Sequence, residues 1–219
     1  MPNNTPSRQR GLFISIEGID GSGKSTQARR LAEALQAAGH DIVLTREPGG
    51  SPGAEAIRRL LVEGEPGRWS PRTEILLFTA ARRDHLERTI EPALAAGKTV
   101  ITDRFADSTR AYQGAARADL RPLVDDLHRL MIGTEPDLTL ILDMDPGDAL
   151  SRGLARQSGE DRFEEMGEGF QARVLEGFRA LAAEAPERCR VVDAGRAEEA
   201  IAADVLALTL AHAQATADG

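Results

Sequence analysis

Five short apolar runs punctuate the chain: GLFISIEG from Gly11, DIVLT from Asp41, TVITD from Thr99, LTLILDMD from Leu138 and CRVVDAG from Cys189. Each predicts a strand buried on both faces. Between them, apolar residues recur at three- and four-residue spacing, the repeat of one helix face. These stretches are STQARRLAEALQAAG from Ser25, AEAIRRLLVEG from Ala54, RTEILLFTAARRDHLERTIEPALAAG from Arg72 and LRPLVDDLHRLMIG from Leu120. DALSRGLARQ from Asp148, FEEMGEGFQARVLEGFRALAAEA from Phe163 and AEEAIAADVLALTLAHA from Ala197 complete the set. Gly39 marks a natural stop for the first helix.

Strand and helix therefore alternate, and the pattern predicts an α/β fold: a mostly parallel sheet with helices on both faces, joined by right-handed crossovers. Ligands in such sheets gather at the carboxyl ends of the strands. The Pro/Gly clusters at Pro48–Gly53 and Glu65–Pro71 are too short for domain linkers, and no internal repeat is seen. The expectation is one domain over residues 11–213, preceded by a loose tail over residues 1–10.

Composition narrows the classes. Apolar residues make up 41% and charged residues 28% of the 219, as in a soluble globular protein, and no apolar run approaches a membrane span. A net charge of −8 disfavours binding to a nucleic-acid backbone. The single cysteine, Cys189, rules out an internal disulfide and fits a reducing compartment. The opening MPNNTPSRQR lacks the apolar core of a secretory signal, so a cytoplasmic location is expected.

The first apolar run leads into Gly18–Ser25, GIDGSGKS, a full match to G-x-x-x-x-G-K-[ST] placed between a predicted strand and a predicted helix. Glycines let successive amides point inward, and the helix N-terminus adds positive potential, so the loop suits phosphate. Gly18, Ile19, Asp20, Gly21, Ser22, Gly23, Lys24, Ser25 and Thr26 are thus expected to bind ATP. Lys24 would reach the β- and γ-phosphates and Ser25 would ligate Mg²⁺. Asp103, closing the third run, would serve as a second Mg²⁺-side oxygen donor or else cap the next helix. No N-K-x-D guanine motif occurs, and motor ATPases are longer, which leaves a small P-loop kinase.

The ordered set EGIDGSGKST, TREPGG, FTAARRDH, TDRFADSTRAYQG and PDLTLILD resembles the bacterial thymidylate kinase family over nearly all of residues 11–213. The resemblance implies a three-layer P-loop NTPase fold with about five parallel strands, a mobile lid and a homodimer formed through packed helices. It implies transfer of the γ-phosphoryl group of ATP to dTMP, giving dTDP and ADP. Two rivals are another nucleoside monophosphate kinase and a P-loop ATP-binding regulator with no acceptor chemistry.

Site roles follow from the same resemblance. Asp20 would approach the acceptor's 3′-hydroxyl. Arg46 and Glu47 would lie beside the acceptor nucleotide, and Arg58 and Arg104 would bind its monophosphate, a task suited to the planar guanidinium. Phe78 would stack on thymine and Arg82 would hydrogen-bond its carbonyl. Ser108 and Thr109 would line the base pocket, Tyr112 would crowd the sugar 2′ position, and Gln113 would organise the sugar side.

The lid would span Arg152–Glu165. Gly21 stands where some family members carry a catalytic arginine, so the lid must supply it, from Arg156 first, then Arg162, with Arg152 also a candidate. An acceptor phosphate is already anionic near neutral pH and needs no strong base, so positioning and charge neutralisation suffice. The four histidines, His40, His85, His128 and His212, are scattered and receive no catalytic role. Trp69 is read as packing.

Overall fold

The computed structural model describes residues 10–65, 67–115, 120–156 and 167–217. Its centre is a five-stranded, all-parallel sheet of β1 (Phe13–Gly18), β2 (Ile42–Arg46), β3 (Thr99–Asp103), β4 (Leu138–Asp143) and β5 (Cys189–Asp193), in the order β2-β3-β1-β4-β5. All five predicted strands form. The register pairs Arg46 with Asp103, Asp103 with Ile16 and Gly18 with Leu142, so the three strands that carry the motifs finish at one edge.

Burial on both faces holds for the central strands. It fails for the outer two, β2 and β5, where Leu44 and Val191 are 45% and 48% exposed. Each outer strand has a neighbour on one side only, so apolar content alone overstates its burial.

The core divides in two. One cluster joins β1 and β4 to helices α1 (Lys24–Ala37), α8 (Glu168–Glu184) and α9 (Glu198–Ala217) through Ile14, Leu140, Leu31, Val174, Phe178 and Val205. The other packs Phe13, Val100, Phe105, Leu86 and Ile90, with the Phe13 and Phe105 rings edge to face at 5.0 Å. The predicted helix end at Gly39 is seen: its φ is +89°, and the amides of Gly39 and His40 donate to the carbonyls of Gln36 and Leu35.

Two further helices start at serine caps. Ser51 precedes α2 (Pro52–Val62) and Ser70 precedes α3 (Pro71–His85), each accepting from an amide three residues on. The predicted continuous helix from Arg72 is interrupted after α3 by a π-helical turn, Leu86–Ile90, before α4 (Glu91–Ala95). Pro92 has no amide hydrogen to give the helical ladder, and the ladder widens in the turn before it. The stretch after β3, predicted only as a motif, folds as α5 (Ala106–Thr109) and a second π-helical turn, Arg110–Ala115. The remaining helices are α6 (Arg121–Met131) and α7 (Pro146–Arg156).

Candidate active site

The phosphate loop runs from the end of β1 into α1. Gly21 and Gly23 have φ of +82° and +93°, and a Cβ at Gly21 would meet the Ala149 carbonyl oxygen at 1.9 Å, so only glycine fits there. Ile19 is fully buried, anchoring the loop. Its carbonyl accepts from Lys24 Nζ at 2.7 Å. The Lys24 ammonium is buried and its pKa is pushed down to about 8, by burial first and then by Arg104, against the pull of Asp20, Asp103 and Glu17. The buried Ser22 hydroxyl has no hydrogen-bond partner among the described residues, leaving a donor available to an anion. Thr26 follows, half-buried on the first turn of α1.

Ser25 and Asp103 lie 78 residues apart in sequence, yet the Ser25 hydroxyl donates to Asp103 Oδ2. The other oxygen, Asp103 Oδ1, is buried and has no hydrogen-bond partner among the described residues. Among the described residues there is no group of three or more His, Cys, Asp or Glu side chains that could hold a metal. A hydroxyl and a carboxylate with a spare oxygen nevertheless fit Mg²⁺, which takes hard oxygen ligands and keeps phosphate oxygens and water in its shell.

Beyond Asp103 the chain turns sharply. Arg104 is the one non-glycine residue with positive φ among the described residues, at +70°. Its guanidinium makes a short ion pair with Asp20 and donates to Ser108 Oγ at 3.1 Å. It also lies over the Tyr112 ring, 5.0 Å from the centroid. The Tyr112 hydroxyl donates to the second Asp20 oxygen at 2.9 Å, and its ring packs edge-on against Phe170 and Phe178. Burial alone would raise the Asp20 pKa, but Arg104 and Lys24 outweigh it and hold the carboxyl below its ordinary value. Asp20 therefore sits in the phosphate loop while two of its partners, Arg104 and Tyr112, belong to the segment after β3.

A second cluster is built around α3. Arg82 is buried; its Nε donates to Glu47 Oε2 at 2.7 Å, and its Nη2 donates to Thr109 Oγ1 at 3.0 Å and the Phe105 carbonyl at 3.1 Å. The other Glu47 oxygen meets His85 Nδ1 at 3.0 Å, and His85 Nε2 meets Thr45 Oγ1 at 2.8 Å. Phe78, half-buried, stands one helical turn before Arg82. Arg58 Nη1 donates to the Pro48 carbonyl at 2.5 Å, across the Glu47–Pro48 cis peptide bond that shapes this turn. Gln113 is buried in the π-helical turn behind Tyr112.

A phosphate loop joined through Asp20 to an arginine- and tyrosine-bearing segment after β3 is suited to phosphorylated small molecules. A family model described as thymidylate kinase matches residues 16–205. The chain belongs to the thymidylate kinase family. It is thus a phosphotransferase. A thymidylate kinase of Dinoroseobacter shibae is 70% identical over 93% of this chain and 99% of its own length. One of Ruegeria pomeroyi is 66% identical over 94% and 98%. Among solved structures, a thymidylate kinase from Ehrlichia chaffeensis superposes with a TM-score of 0.76 at 36% identity, covering 91% of this chain and 99% of that one.

Within this thymidylate kinase fold the predicted site residues divide three ways. Lys24, Asp20, Arg104, Ser108 and Tyr112 converge, as do Arg82, Thr109 and Glu47, and Ser25 meets Asp103. Arg46 stands apart, in an exposed pair with Glu55 at 3.3 Å. Arg152 is exposed on α7, whereas the side chain of Arg156, and Arg162 with most of the predicted lid, lie outside the described residues. Both Glu47 oxygens are hydrogen-bonded within the protein, to Arg82 and His85, so its carboxylate sets Arg82 in place.

Three members of the site receive no role from the sequence, although Glu17 and His85 lie within the EGIDGSGKST and FTAARRDH stretches. Glu17 is fully buried at the end of β1, with a pKa pushed up to about 7 by burial and Asp107 against the pull of Ser108, Arg104 and Ser15. An acid inside an apolar strand run was its signal in the sequence. Gln171, on α8, helps to hold the Asp20 carboxyl below its ordinary value, and His85 completes the Glu47 cluster. Neither of these two stands out in a pattern of spacing.

Proposed function

We propose that the chain transfers the γ-phosphoryl group of ATP to dTMP, giving dTDP and ADP. The observation that carries this reading is Asp20: a residue of the donor loop bonded by Arg104 and Tyr112 of the acceptor segment, so that donor and acceptor share a wall. Lys24 holds the donor phosphates. Arg104 and Arg58 hold the acceptor phosphate, Asp20 the sugar, and Arg82, Thr109 and Phe78 the base. Mg²⁺ held through Ser25 and Asp103 would supply charge neutralisation on the donor phosphates. Arg156, then Arg162, are the candidates from the 152–165 lid for contact with the transferring group, and closure of that segment excludes water.

The kinase domain spans residues 11–213, and one buried cysteine accords with a cytoplasmic setting. A homodimer is supported by Leu60, Leu76, Leu130 and Met131, exposed by 39 to 66% on α2, α3 and α6, with α3 packed against both neighbours. A monomer by light scattering at assay concentration would remove it.

The deciding experiment measures acceptor-dependent ADP release with dTMP, dUMP, dCMP, dGMP and dAMP. Thymine and uracil differ by one methyl, worth about 1–3 kcal/mol in an apolar pocket, so dTMP should lead dUMP by about 10–200-fold in kcat/KM. Equal values, or no acceptor-dependent release at all, would refute the reading. Lys24→Ala should abolish activity with every acceptor, and Arg82→Ala should penalise thymine most.

A further inference from the structure

Among the described residues, every hydrogen bond that the carboxylate of Glu17 accepts comes from a residue that frames the acceptor turn or from its own strand. Oε1 accepts from the Phe105 amide at 2.7 Å and the Ser15 hydroxyl at 2.8 Å, and Oε2 accepts from the Ser108 hydroxyl at 2.6 Å. The peptide linking Arg104 to Phe105 is therefore held at both ends, because the Thr102 hydroxyl donates to the Arg104 carbonyl at 2.8 Å. The Arg104 amide in turn donates to the Ile16 carbonyl, one residue before Glu17.

Such clamping answers a local problem. A non-glycine residue in the left-handed region is disfavoured by about 1–2 kcal/mol and persists only where its surroundings over-determine it. Here the left-handed turn aims Arg104 at Asp20. The side chain is set as well as the backbone, because Ser108 Oγ accepts from Arg104 Nη1 and passes its own hydrogen to Glu17 Oε2. A hydroxyl that both accepts from a cation and donates to an anion has one orientation available.

We propose that Glu17 is a positioning residue for the acceptor phosphate: it fixes the left-handed turn at Arg104 and, through Ser108, the direction of the Arg104 guanidinium. This rests on the reading of Arg104 as an acceptor-site residue. Glu17→Gln tests it, since the amide oxygen can still accept from Phe105 while the amide nitrogen meets Ser108 as a donor. Ser108 then loses its acceptor, and the chain from Arg104 to Glu17 is cut with the shape preserved.

The readouts are the Kd for dTMP by calorimetry, the KM values for dTMP and ATP, and the Tm, all at pH 8. The expected result is a loss of about ten- to a hundredfold in dTMP affinity, the span of one charge-assisted hydrogen bond, with KM for ATP and Tm held. Combining Glu17→Gln with Ser108→Ala should cost less than the two separate losses together, because both cut the same link. Unchanged dTMP affinity in Glu17→Gln would overturn the proposal, and so would parallel losses in dTMP affinity, ATP KM and Tm. A wild-type protein that binds no dTMP would instead overturn the functional reading.

Discussion

Replacing Glu47 with alanine removes one half of an ion pair whose two side chains are each 4% exposed. Arg82 would keep its charge, its bonds to the Phe105 carbonyl and Thr109, and its place over the Phe105 ring at 5.2 Å, but would lose its only anionic partner at hydrogen-bond distance among the described residues. His85, fully buried, would lose the acceptor at its Nδ1. Breaking a buried pair from one side costs about 3–5 kcal/mol, which for a chain of this length lowers Tm by roughly 6–20 °C. Differential scanning calorimetry of Glu47→Ala against wild type measures it, with dTMP titrated into both. The double substitution Glu47→Ala with Arg82→Met should recover part of the lost Tm, since no uncompensated charge then stays buried while His85 Nδ1 still lacks its acceptor, and should leave dTMP recognition impaired. A fall of under about 3 °C in the single variant would mean that the pair carries little of the local stability, and the account of Glu47 as the anchor of Arg82 would fail.

Glu17 should also leave a mark on the pH dependence of stability. Its folded-state pKa is about 7 against an ordinary value of 4.5, so between those pH values the native state keeps a proton the unfolded chain has lost, and stability falls as pH rises. The contribution present below about pH 4.5 and lost through pH 7 is on the order of 3 kcal/mol, shaped by Asp107 on α5 and by Arg104, Ser108 and Ser15 around it. Denaturant unfolding at pH 5 and pH 8 should show this loss in wild type and not in Glu17→Gln, and identical slopes would count against it. Asp103→Asn should lower Mg²⁺-supported turnover by about 10–100-fold and raise the Mg²⁺ concentration for half-maximal rate; an unaltered Mg²⁺ titration would remove Asp103 from the metal side.

The sheet was legible because each strand is a short run rich in apolar and β-branched residues, and the phosphate loop because its spacing answers a single physical demand. Burial of β2 and β5 was misjudged for the same reason that the strands were found: composition reports apolarity, whereas exposure depends on whether a neighbour covers the edge. ADSTRAYQG hid its helical turns, since buried and half-buried polar residues, Ser108 toward Glu17, Thr109 toward Arg82 and Asp107 and Arg110 toward each other, break the apolar period that marks a helix. The roles of Phe78, Arg82 and Thr109 came with the family resemblance and not from their spacing. The pairing of Arg82 with Glu47 spans 35 residues and two elements, so no local pattern could reveal it. Glu17 was visible as an oddity, a charge within ISIEG, but its meaning needed the three donors that folding brings to it.

Cys189 has a practical consequence. It is buried in β5, and burial pushes its thiol up to about 11 despite the nearby Arg188. Since thiolate is the reactive form, on the order of one in ten thousand such groups is nucleophilic at neutral pH, and those are shielded from reagent. The unmodified chain is therefore a quiet background for maleimide chemistry. Cysteines introduced at exposed positions such as Ala37 on α1 and Ser151 on α7 would accept a dye pair without prior removal of the native thiol, so that any change in the distance between α1 and α7 on adding nucleotide could be read by fluorescence on a protein with its interior intact.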